Sequence, residues 1–255
     1  MRGGPHAQDG FEVRFDWGPT AAVQLGSGPG TLVIVDVLSF TTAVSVAVER
    51  GVAVYPAATE RTAVVRAREV CGELAVARSE VTADRPWSLS PAHLGAAPAP
   101  ERLVLPSPNG SSIAAAVAGT AVAACLRNAT AVGSWLAERC ICREAPVTVI
   151  AAGERWPDGS LRPALEDLLG AGAVLVALAQ QMSLVESPEA AAARALYEST
   201  SSPGDAVRRS ASGAELVAAG FGADVEIAVE SDASRVVPVR IDGAFRDARN
   251  DDVSN

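Results

Sequence analysis

A short run of apolar, mostly β-branched residues at positions 31–37, interrupted only by Asp36, most constrains how this chain can fold. Such a run is typical of a strand that is buried on both faces, as in a parallel sheet. The segment that follows is rich in Ala and Val, with Ser39 near its start and Gly51 behind it, which indicates a helix. Residues 52–56 have the pattern of the next strand, so this third of the chain predicts a strand–helix–strand unit.

The alternation continues to the end of the chain and indicates a layered α/β/α fold with a mixed, mostly parallel sheet, in which two similar subdomains are an option. We expect one domain over residues 11–245, with disordered tails at 1–10 and 246–255. Residues 80–102, rich in Pro, Ala and Ser, indicate a long loop. The expected strands are 11–17, 31–37, 52–56, 103–105, 121–126, 147–152, 225–229 and 236–241, and the expected helices are 39–50, 62–71, 113–118, 129–139, 164–179, 189–199, 204–210 and 212–219.

Composition narrows the classes of function. The net charge of −9 argues against non-specific binding of nucleic acid, which needs a positive field. No uninterrupted apolar run reaches the length of a membrane span, and the N-terminus lacks the apolar stretch of a secretion signal. We therefore expect a cytoplasmic protein that binds neither nucleic acid nor membrane.

The types of reactive side chain present in the sequence exclude further classes of catalytic mechanism. All 21 basic residues are Arg, so neither a Schiff-base lysine nor a P-loop lysine is available. The two histidines, His6 and His93, are too few and too distant to indicate histidine-based acid–base catalysis. The spacing of Cys140 and Cys142 does not fit a zinc site, so we expect free thiols.

Polar residues follow several of the predicted strands, where ligands collect in α/β folds. Asp36 ends the buried strand and precedes Thr41 and Thr42, a pattern that suits either a turn carboxylate or a cation site beside a phosphate. A haloacid-dehalogenase mechanism needs a second Asp two residues later, and position 38 is Leu. Asp36 alone therefore leaves a structural and a catalytic interpretation open.

The other strand ends carry comparable alternatives. Asn109, Gly110 and Ser111 suit a turn with a helix cap, and equally an oxyanion cradle at a helix N-terminus. Glu166 and Asp167 start a predicted helix, where acids complement the helix dipole. Because adjacent helical residues point about 100° apart, we expect one of these two acids to face the site and the other to cap or pair. With Asp36 and Glu154, that acid would form an oxygen-ligand set suited to Mg²⁺.

Taken in order, these segments resemble the 2-phosphosulfolactate phosphatase (ComB) family from about residue 11 to about residue 241. The matching segments are Val35-Asp36-Val37-Leu38-x-x-Thr41-Thr42, Asn109-Gly110-Ser111, Arg127-Asn128-Ala129, Gly153-Glu154 and Glu166-Asp167-Leu168-Leu169-x-Ala171-Gly172.

The resemblance implies a Mg²⁺-dependent phosphatase that converts 2-phosphosulfolactate to sulfolactate in the coenzyme M pathway. It implies that the metal is held by Asp36 with Glu166 or Asp167, and that Asp36, Glu154 and Glu166 are catalytic. The residues implied to bind substrate are Thr41, Thr42, Asn109, Gly110, Ser111, Arg127 and Asn128. The expected partners are a small anionic phosphoester and a second copy of the chain in a homodimer.

The chain departs from the family pattern at the substrate side. Ser39 stands where the family often has Arg, and a Gly-Glu-Arg stretch is expected near residues 76–80, where the sequence reads Val76-Ala77-Arg78-Ser79-Glu80. Ser cannot replace the bidentate anion clamp of an arginine. We therefore expect a substrate other than 2-phosphosulfolactate, and a fold-retaining protein without turnover is the alternative.

Overall fold

The structure, a computed structural model, describes residues 5–26, 28–139 and 141–251. Strands and helices alternate along most of its length, as the sequence predicts. The strands are β1 (Val13–Trp17), β2 (Thr31–Val35), β3 (Ala53–Ala57), β4 (Glu73–Leu74), β5 (Arg102–Pro106), β6 (Thr120–Ala124), β7 (Val147–Ala151), β8 (Glu154–Arg155), β9 (Leu161–Arg162), β10 (Pro238–Ile241) and β11 (Ala244–Asp247). The helices are α1 (Gly18–Leu25), α2 (Phe40–Glu49), α3 (Glu60–Val70), α4 (Pro91–Ala96), α5 (Gly110–Ala116), α6 (Ala129–Ala137), α7 (Leu165–Ala179), α8 (Pro188–Ser199), α9 (Pro203–Arg208), α10 (Ala211–Ala218), α11 (Gly222–Ala228) and α12 (Ala248–Asp251).

Nine of these strands form one mixed sheet in the order β1-β7-β2-β6-β10-β11-β3-β5-β4. Strands β1, β7, β2 and β6 are parallel to one another, and so are β3, β5 and β4. The β10–β11 hairpin joins these two parallel blocks through three antiparallel pairings, so the blocks run in opposite directions. The mostly parallel α/β/α architecture is confirmed, and both blocks belong to one continuous sheet.

Strand β2 explains why the sheet needs helices on both faces. Val33 and Val35 belong to the core formed with α6, α7 and α8, whereas Leu32 and Ile34 belong to the core formed with α1, α2 and α5. Successive side chains of a strand point to opposite faces, so a continuous apolar run must be covered twice. None of the helices among the described residues is long and apolar enough to cross a membrane.

The segment 225–229 is a helix, so the predicted strand there is wrong. Three of its five residues are β-branched, which is typical of a strand, but Val225 and Ala228 are the buried pair, and both have no exposed surface. Their spacing of three is that of one helix face. Glu226 faces outward and pairs with Arg208 at 2.9 Å. A run of five residues is too short for its sequence pattern to separate a strand from a helix. Packing of this segment against α9 and α10 decides for the helix.

Residues inside the expected tails pack against the sheet. Gln8 is buried, and its side chain exchanges two hydrogen bonds with the backbone of Phe15, at 2.8 and 3.2 Å. At the other end, Asp247 accepts a hydrogen bond from the backbone of Val237 at 3.0 Å and closes β11 onto β10. Residues 1–4 and 252–255 lie outside the described residues, and the division into an 11–245 domain with two tails stays a prediction.

Several elements were not expected from the sequence, among them α1, α4 and β11 as well as the short strands β4, β8 and β9. Helix α1 begins directly after β1, where Gly18 and Pro19 indicated only a break. Helix α4 lies inside the expected loop 80–102. Strand β11 pairs with β10 across Asp242 and Gly243, whose φ angles of 51° and 81° form a two-residue turn of the kind that Asp-Gly favours. Asp-Gly was the sequence signal for this hairpin.

Helices α6 and α7 approach each other closely at Gly133. A Cβ atom at this position would lie 2.6 Å from the Cβ of Ala177 and 2.8 Å from its carbonyl carbon. Both atoms belong to Ala177 in α7, so they cannot move away unless the helix itself shifts. The glycine is therefore required by the packing of the two helices rather than by a turn.

We predict that Gly133→Ala destabilises the protein by about 1–3 kcal/mol, because the added methyl group overpacks this contact. Gly95→Ala in α4 is the matched control, since its Cβ would have no neighbour nearer than 4.0 Å. That control should stay within about 1 kcal/mol of the wild type, on the stabilising side. Urea unfolding monitored by circular dichroism measures both, and equal midpoints for the two variants would contradict the prediction.

Candidate active site

Asp36 follows β2 directly and is clamped by backbone N–H groups from two segments. One carboxylate oxygen accepts a hydrogen bond from the N–H of Phe40 at 3.2 Å, and the other accepts one from the N–H of Gly110 at 2.8 Å. The side chain is buried, with 4% of its surface exposed. The turn after β2 and the turn after β5 therefore meet at this carboxylate.

The predicted hydroxyl ligands hold the turns in shape. The Thr41 hydroxyl donates to the carbonyl of Asp36 at 2.8 Å, and the Thr42 hydroxyl donates to the carbonyl of Val37 at 2.7 Å. The Ser111 hydroxyl donates to the carbonyl of Leu105 at 2.9 Å. All three residues are fully buried. Their hydroxyls thus fix the backbone around Asp36 instead of forming an open cradle.

Asp167, in the first turn of α7, joins the ends of β2 and β7. One of its carboxylate oxygens accepts from the N–H of Val37 at 2.7 Å, and the other accepts from the N–H of Gly153 at 2.8 Å. Its neighbour Glu166 is 1% exposed and receives no hydrogen bond from the described residues. We expected one of these two adjacent acids to cap or pair and the other to face the site. In the structure Asp167 is the acid that pairs, and the oxygens of Glu166 are uncommitted.

Glu154 begins β8 and lies beside the turn after β5. Its carboxylate accepts a hydrogen bond from the amide nitrogen of Asn109 at 3.0 Å. Asp36, Glu154, Glu166 and Asp167 together are called the acid cluster below. They come from the carboxyl ends of β2 and β7 and from α7, while Asn109 and Gly110 come from the turn after β5.

Burial and mutual repulsion make the acid cluster reluctant to ionise fully. Burial raises the pKa of Asp36 to about 6, with Glu166 adding to the rise and the N–H groups of Gly110 and Phe40 opposing it. Burial raises the pKa of Glu154 to about 7, and the charge of Asp36 adds to the rise. The pKa of Asp167 is raised well above its usual range by burial and by the charges of Asp36 and Glu166. A cation at this place would relieve that repulsion.

The donor chemistry of the cluster fits Mg²⁺, provided that the protein supplies only part of the coordination. In the described ranges, no group of three or more His, Cys, Asp and Glu side chains is placed to hold a metal ion by itself. Mg²⁺ is commonly bound by one or two carboxylates, with waters and substrate phosphate completing the shell. Glu166 is the carboxylate with uncommitted oxygens, whereas Asp36 and Asp167 each already accept two backbone N–H groups, so either of these two would join Glu166 through a remaining lone pair.

An arginine that the sequence analysis did not assign to the site reaches it from another segment. Arg78 donates from Nη2 to the hydroxyl of Ser39 at 2.7 Å and from Nε to the carboxylate of Asp224 at 3.1 Å. Ser39 lies three residues after Asp36, so this bond brings Arg78 to the turn that carries Asp36, and its charge opposes the burial-driven rise in the pKa of that residue. Asp224 is 1% exposed and also accepts from the hydroxyl of Ser90. The stretch that contains Arg78 was interpreted as a departure from the family pattern, and no local motif marked its arginine as part of the site.

Arg127 and Asn128, which were expected to bind substrate, make their hydrogen bonds elsewhere. Arg127 donates to the hydroxyl of Ser45 at 3.0 Å and pairs with Glu49 and Glu230, each at 3.4 Å. The amide of Asn128 is fully buried and bonds to backbone atoms of Ala123, Cys125 and Val236. The structure does not bring these two side chains to the acid cluster.

A cleft of about 610 Å³ opens next to the site. The cleft is lined in part by Arg78 and by the turn residues Ser107 and Pro108. The N–H of Asn109 donates to the Ser107 hydroxyl at 3.4 Å. The cleft therefore shares Arg78 with the acid cluster's surroundings and continues from the turn that holds Asp36. Its walls are Ala58, Thr59, Glu60, Val64, Leu74, Ala75, Val76, Ala77, Arg78, Ser79, Glu80, Arg85, Leu89, Pro106, Ser107, Pro108 and Phe221.

The raised pKa of Asp36 predicts how stability varies with pH. The folded protein binds the proton of the Asp36 carboxyl more tightly than the unfolded chain does. The stability that this protonated carboxyl contributes is therefore fully present below the unfolded pKa of about 4 and is lost as pH rises through about 6. Asp36→Asn cannot ionise, so in metal-free buffer the wild type should lose stability relative to the variant, by on the order of 3 kcal/mol, across this window. Urea unfolding from about pH 3.5 to pH 7.5 measures it. A difference that stays constant with pH would refute the prediction.

A comparison with protein families finds a match over most of the chain. A family model described as 2-phosphosulpholactate phosphatase matches residues 20–243 of the 255. Among curated proteins none matches the chain. The matched range contains the whole acid cluster, Arg78 and Asp224, and covers well over half of the chain. The chain therefore belongs to the 2-phosphosulpholactate phosphatase family, whose activity is that of a phosphoric monoester hydrolase.

Proposed function

We propose that this protein is a Mg²⁺-dependent phosphatase that hydrolyses a small anionic phosphate monoester at the acid cluster. The observation that carries the proposal is the gathering of four carboxylates, three of them with raised pKa values, beside a positioned arginine. Such a set attracts a divalent cation and a phosphate together, because each offsets the charge of the other.

Asp36 and Glu166 would hold the metal. When bound, Mg²⁺ supplies Lewis-acid polarisation of the phosphoryl group and neutralises charge that develops on its oxygens. Asp36 is suited to a fixed position because backbone N–H groups hold both of its oxygens from two turns. Glu166 is suited to ligation because its oxygens receive no hydrogen bond from the described residues.

Glu154 is the residue suited to accept the proton of the attacking water. Its pKa of about 7 lies near neutral pH, where a general base is most effective. The hydrogen bond from Asn109 holds one carboxylate oxygen and leaves the other available. In this proposal Asn109 orients the base, and the water attacks the phosphorus atom directly.

Arg78 would bind the phosphoryl oxygens. Asp224 and Ser39 hold its Nε and Nη2, while Nη1 donates no hydrogen bond to another described residue. A guanidinium that is fixed on one side and free on the other is a preorganised anion ligand. The alternative of a fold without turnover rested on the absence of an arginine at position 39, and Arg78 reaching Ser39 weakens that reason.

We also propose that 2-phosphosulfolactate is not the preferred substrate. A molecule that carries both a phosphate and a sulfonate calls for two anion clamps. Position 39 holds Ser, and in the described structure Arg127 is paired with Glu49 and Glu230. Arg162, whose charge opposes the burial-driven rise in the pKa of Glu154, is paired with Glu215 at 3.4 Å. Arg78, whose Nη1 is not engaged by a described residue, is then left to support a single anionic group. The homodimer remains a prediction.

Asp36→Asn is predicted to lower Mg²⁺-dependent phosphate release by at least about 100-fold, because it removes a charge that the metal and transition state require. A colorimetric phosphate assay over a panel of monoesters, with Mg²⁺ and with EDTA, measures it. Asp242→Asn in the β10–β11 turn is the matched control and should retain activity, since Asn also tolerates a positive φ. Unchanged turnover in Asp36→Asn would remove Asp36 from the mechanism, and no metal-dependent release from any ester would refute the proposed function.

Arg78→Lys is predicted to raise KM for the best ester about tenfold or more, because a lysine keeps the charge but loses the fork held by Ser39 and Asp224. Arg68→Lys, on the exposed side of α3, should leave KM unchanged. Steady-state kinetics separate KM from kcat. An unchanged KM and kcat for Arg78→Lys would show that this arginine does not bind the substrate.

A further inference from the structure

The cleft beside the acid cluster is larger and more apolar than a small organic acid requires. Its volume of about 610 Å³ lies within the range of pockets that enclose drug-sized ligands, about 300–1,000 Å³. Val64, Leu74, Leu89 and Phe221 form much of its wall. A short-chain acid bearing two anionic groups has little carbon surface to bury against such a wall.

Two polar residues that line the cleft, Arg78 and Ser107, are tied by hydrogen bonds to the turns that carry Asp36 and Gly110. A ligand whose phosphate lies between Arg78 and the acid cluster would therefore direct its organic part into the cleft. This orientation follows from the one guanidinium that the cleft and the proposed site share.

The charges around the opening do not favour a second anionic group. Arg85 lies at the rim, but Glu60 and Glu80 line the same cleft, and all three are exposed. The two carboxylates offset the arginine, so beyond Arg78 the cleft presents no net positive charge. A neutral organic part fits this balance better than a sulfonate or carboxylate does.

Phe221 gives the cleft a firm aromatic wall. Its ring packs edge-to-face with His93, with centroids 6.4 Å apart, and the guanidinium carbon of Arg78 lies 5.4 Å from its centroid. Contacts on two sides restrict the ring, so little conformational entropy would be lost when a ligand packs against it.

We propose that the cleft receives the organic part of the substrate, and that the substrate is a phosphate monoester of an aromatic or similarly sized apolar alcohol. This inference rests on the proposed function and adds the substrate class to it. The phosphate lies at Arg78 and the acid cluster, and the apolar part packs between α3 and Phe221. Hydrolysis releases the alcohol and inorganic phosphate, with water supplying the oxygen.

The test compares aryl and short-chain ligands on the full-length protein with Mg²⁺. We expect kcat/KM for phenyl and naphthyl phosphate to exceed that for glycerol 3-phosphate and 2-phosphosulfolactate by about tenfold or more, because the ring buries apolar surface that the short chains lack. Calorimetric titration with phenylphosphonate and methylphosphonate gives a readout independent of turnover, and phenylphosphonate should bind about tenfold more tightly.

Two neighbouring valines of α3 provide a matched pair of variants. Val64 lines the cleft and is 38% exposed, whereas Val65 is 52% exposed and does not line it. Val64→Gln places a longer polar side chain in the apolar wall and should remove most of the preference for the aryl ligands. Val65→Gln should keep the preference, and because both positions are exposed on one helix, neither change is expected to impair folding.

The outcomes separate the two proposals. Phosphate release only from the short-chain esters, or equal binding of the two phosphonates, would overturn the aryl substrate class while leaving the phosphatase intact. Equal effects of Val64→Gln and Val65→Gln on the preference would overturn the role of the cleft. Absence of release from every ester would refute the proposed function, and the phosphonate titration would still decide whether the cleft selects apolar groups.

Discussion

The clamped carboxylate of Asp36 is the interaction on which the rest of the site depends. It accepts one N–H from its own turn, at Phe40, and one from Gly110, which lies 74 residues away in the chain. A side chain at position 110 would place its Cβ 2.4 Å from a ring carbon of Phe40 and 2.8 Å from the Asp36 carboxylate. Glycine is therefore needed for the approach of the two turns. Asp167 makes the corresponding junction between the ends of β2 and β7. The same carboxylates thus build the site and define its chemistry.

Using the same buried carboxylates to build the site and to carry its chemistry is electrostatically unfavourable. Burying several carboxylates together raises the pKa values of Asp36, Glu154 and Asp167, because each charge loses water and repels the others. A protein normally compensates a buried charge with an opposite charge or a metal ion. Arg78 supplies part of that compensation and lowers the pKa of Asp36. The remainder is what makes the cluster suited to a divalent cation, so the instability of the metal-free site and the proposed chemistry have one cause.

Arg78 also shows how a functional group can be provided from a different part of the chain. The family resemblance implies an arginine three residues after Asp36, and this chain has Ser39 at that position. The guanidinium reaches the Ser39 hydroxyl from residue 78 and is held by the buried Asp224, 146 residues further on. One arginine placed in this way serves both the acid cluster and the adjoining cleft. The proposed change of substrate follows from that arrangement, because one preorganised fork supports one anionic group and the cleft beyond it is largely apolar.

The sequence by itself determined the layered α/β/α class, most of the strands and helices, and the acids that form the cluster. It could do so because the apolar run at 31–37 is buried on both faces, and because polar residues at strand ends have few other reasons to recur. Only the tertiary structure decided the rest. Residues 225–229 are rich in β-branched side chains, as strands are, but packing of Val225 and Ala228 makes the segment helical. The hydroxyls of Thr41, Thr42 and Ser111 could have bound a phosphate, but they bond to nearby carbonyls. Arg78, Ser39 and Asp224 are far apart along the chain, and no local pattern relates them. Side-chain partners over such separations depend on how the turns meet in space, and local periodicity does not contain that information.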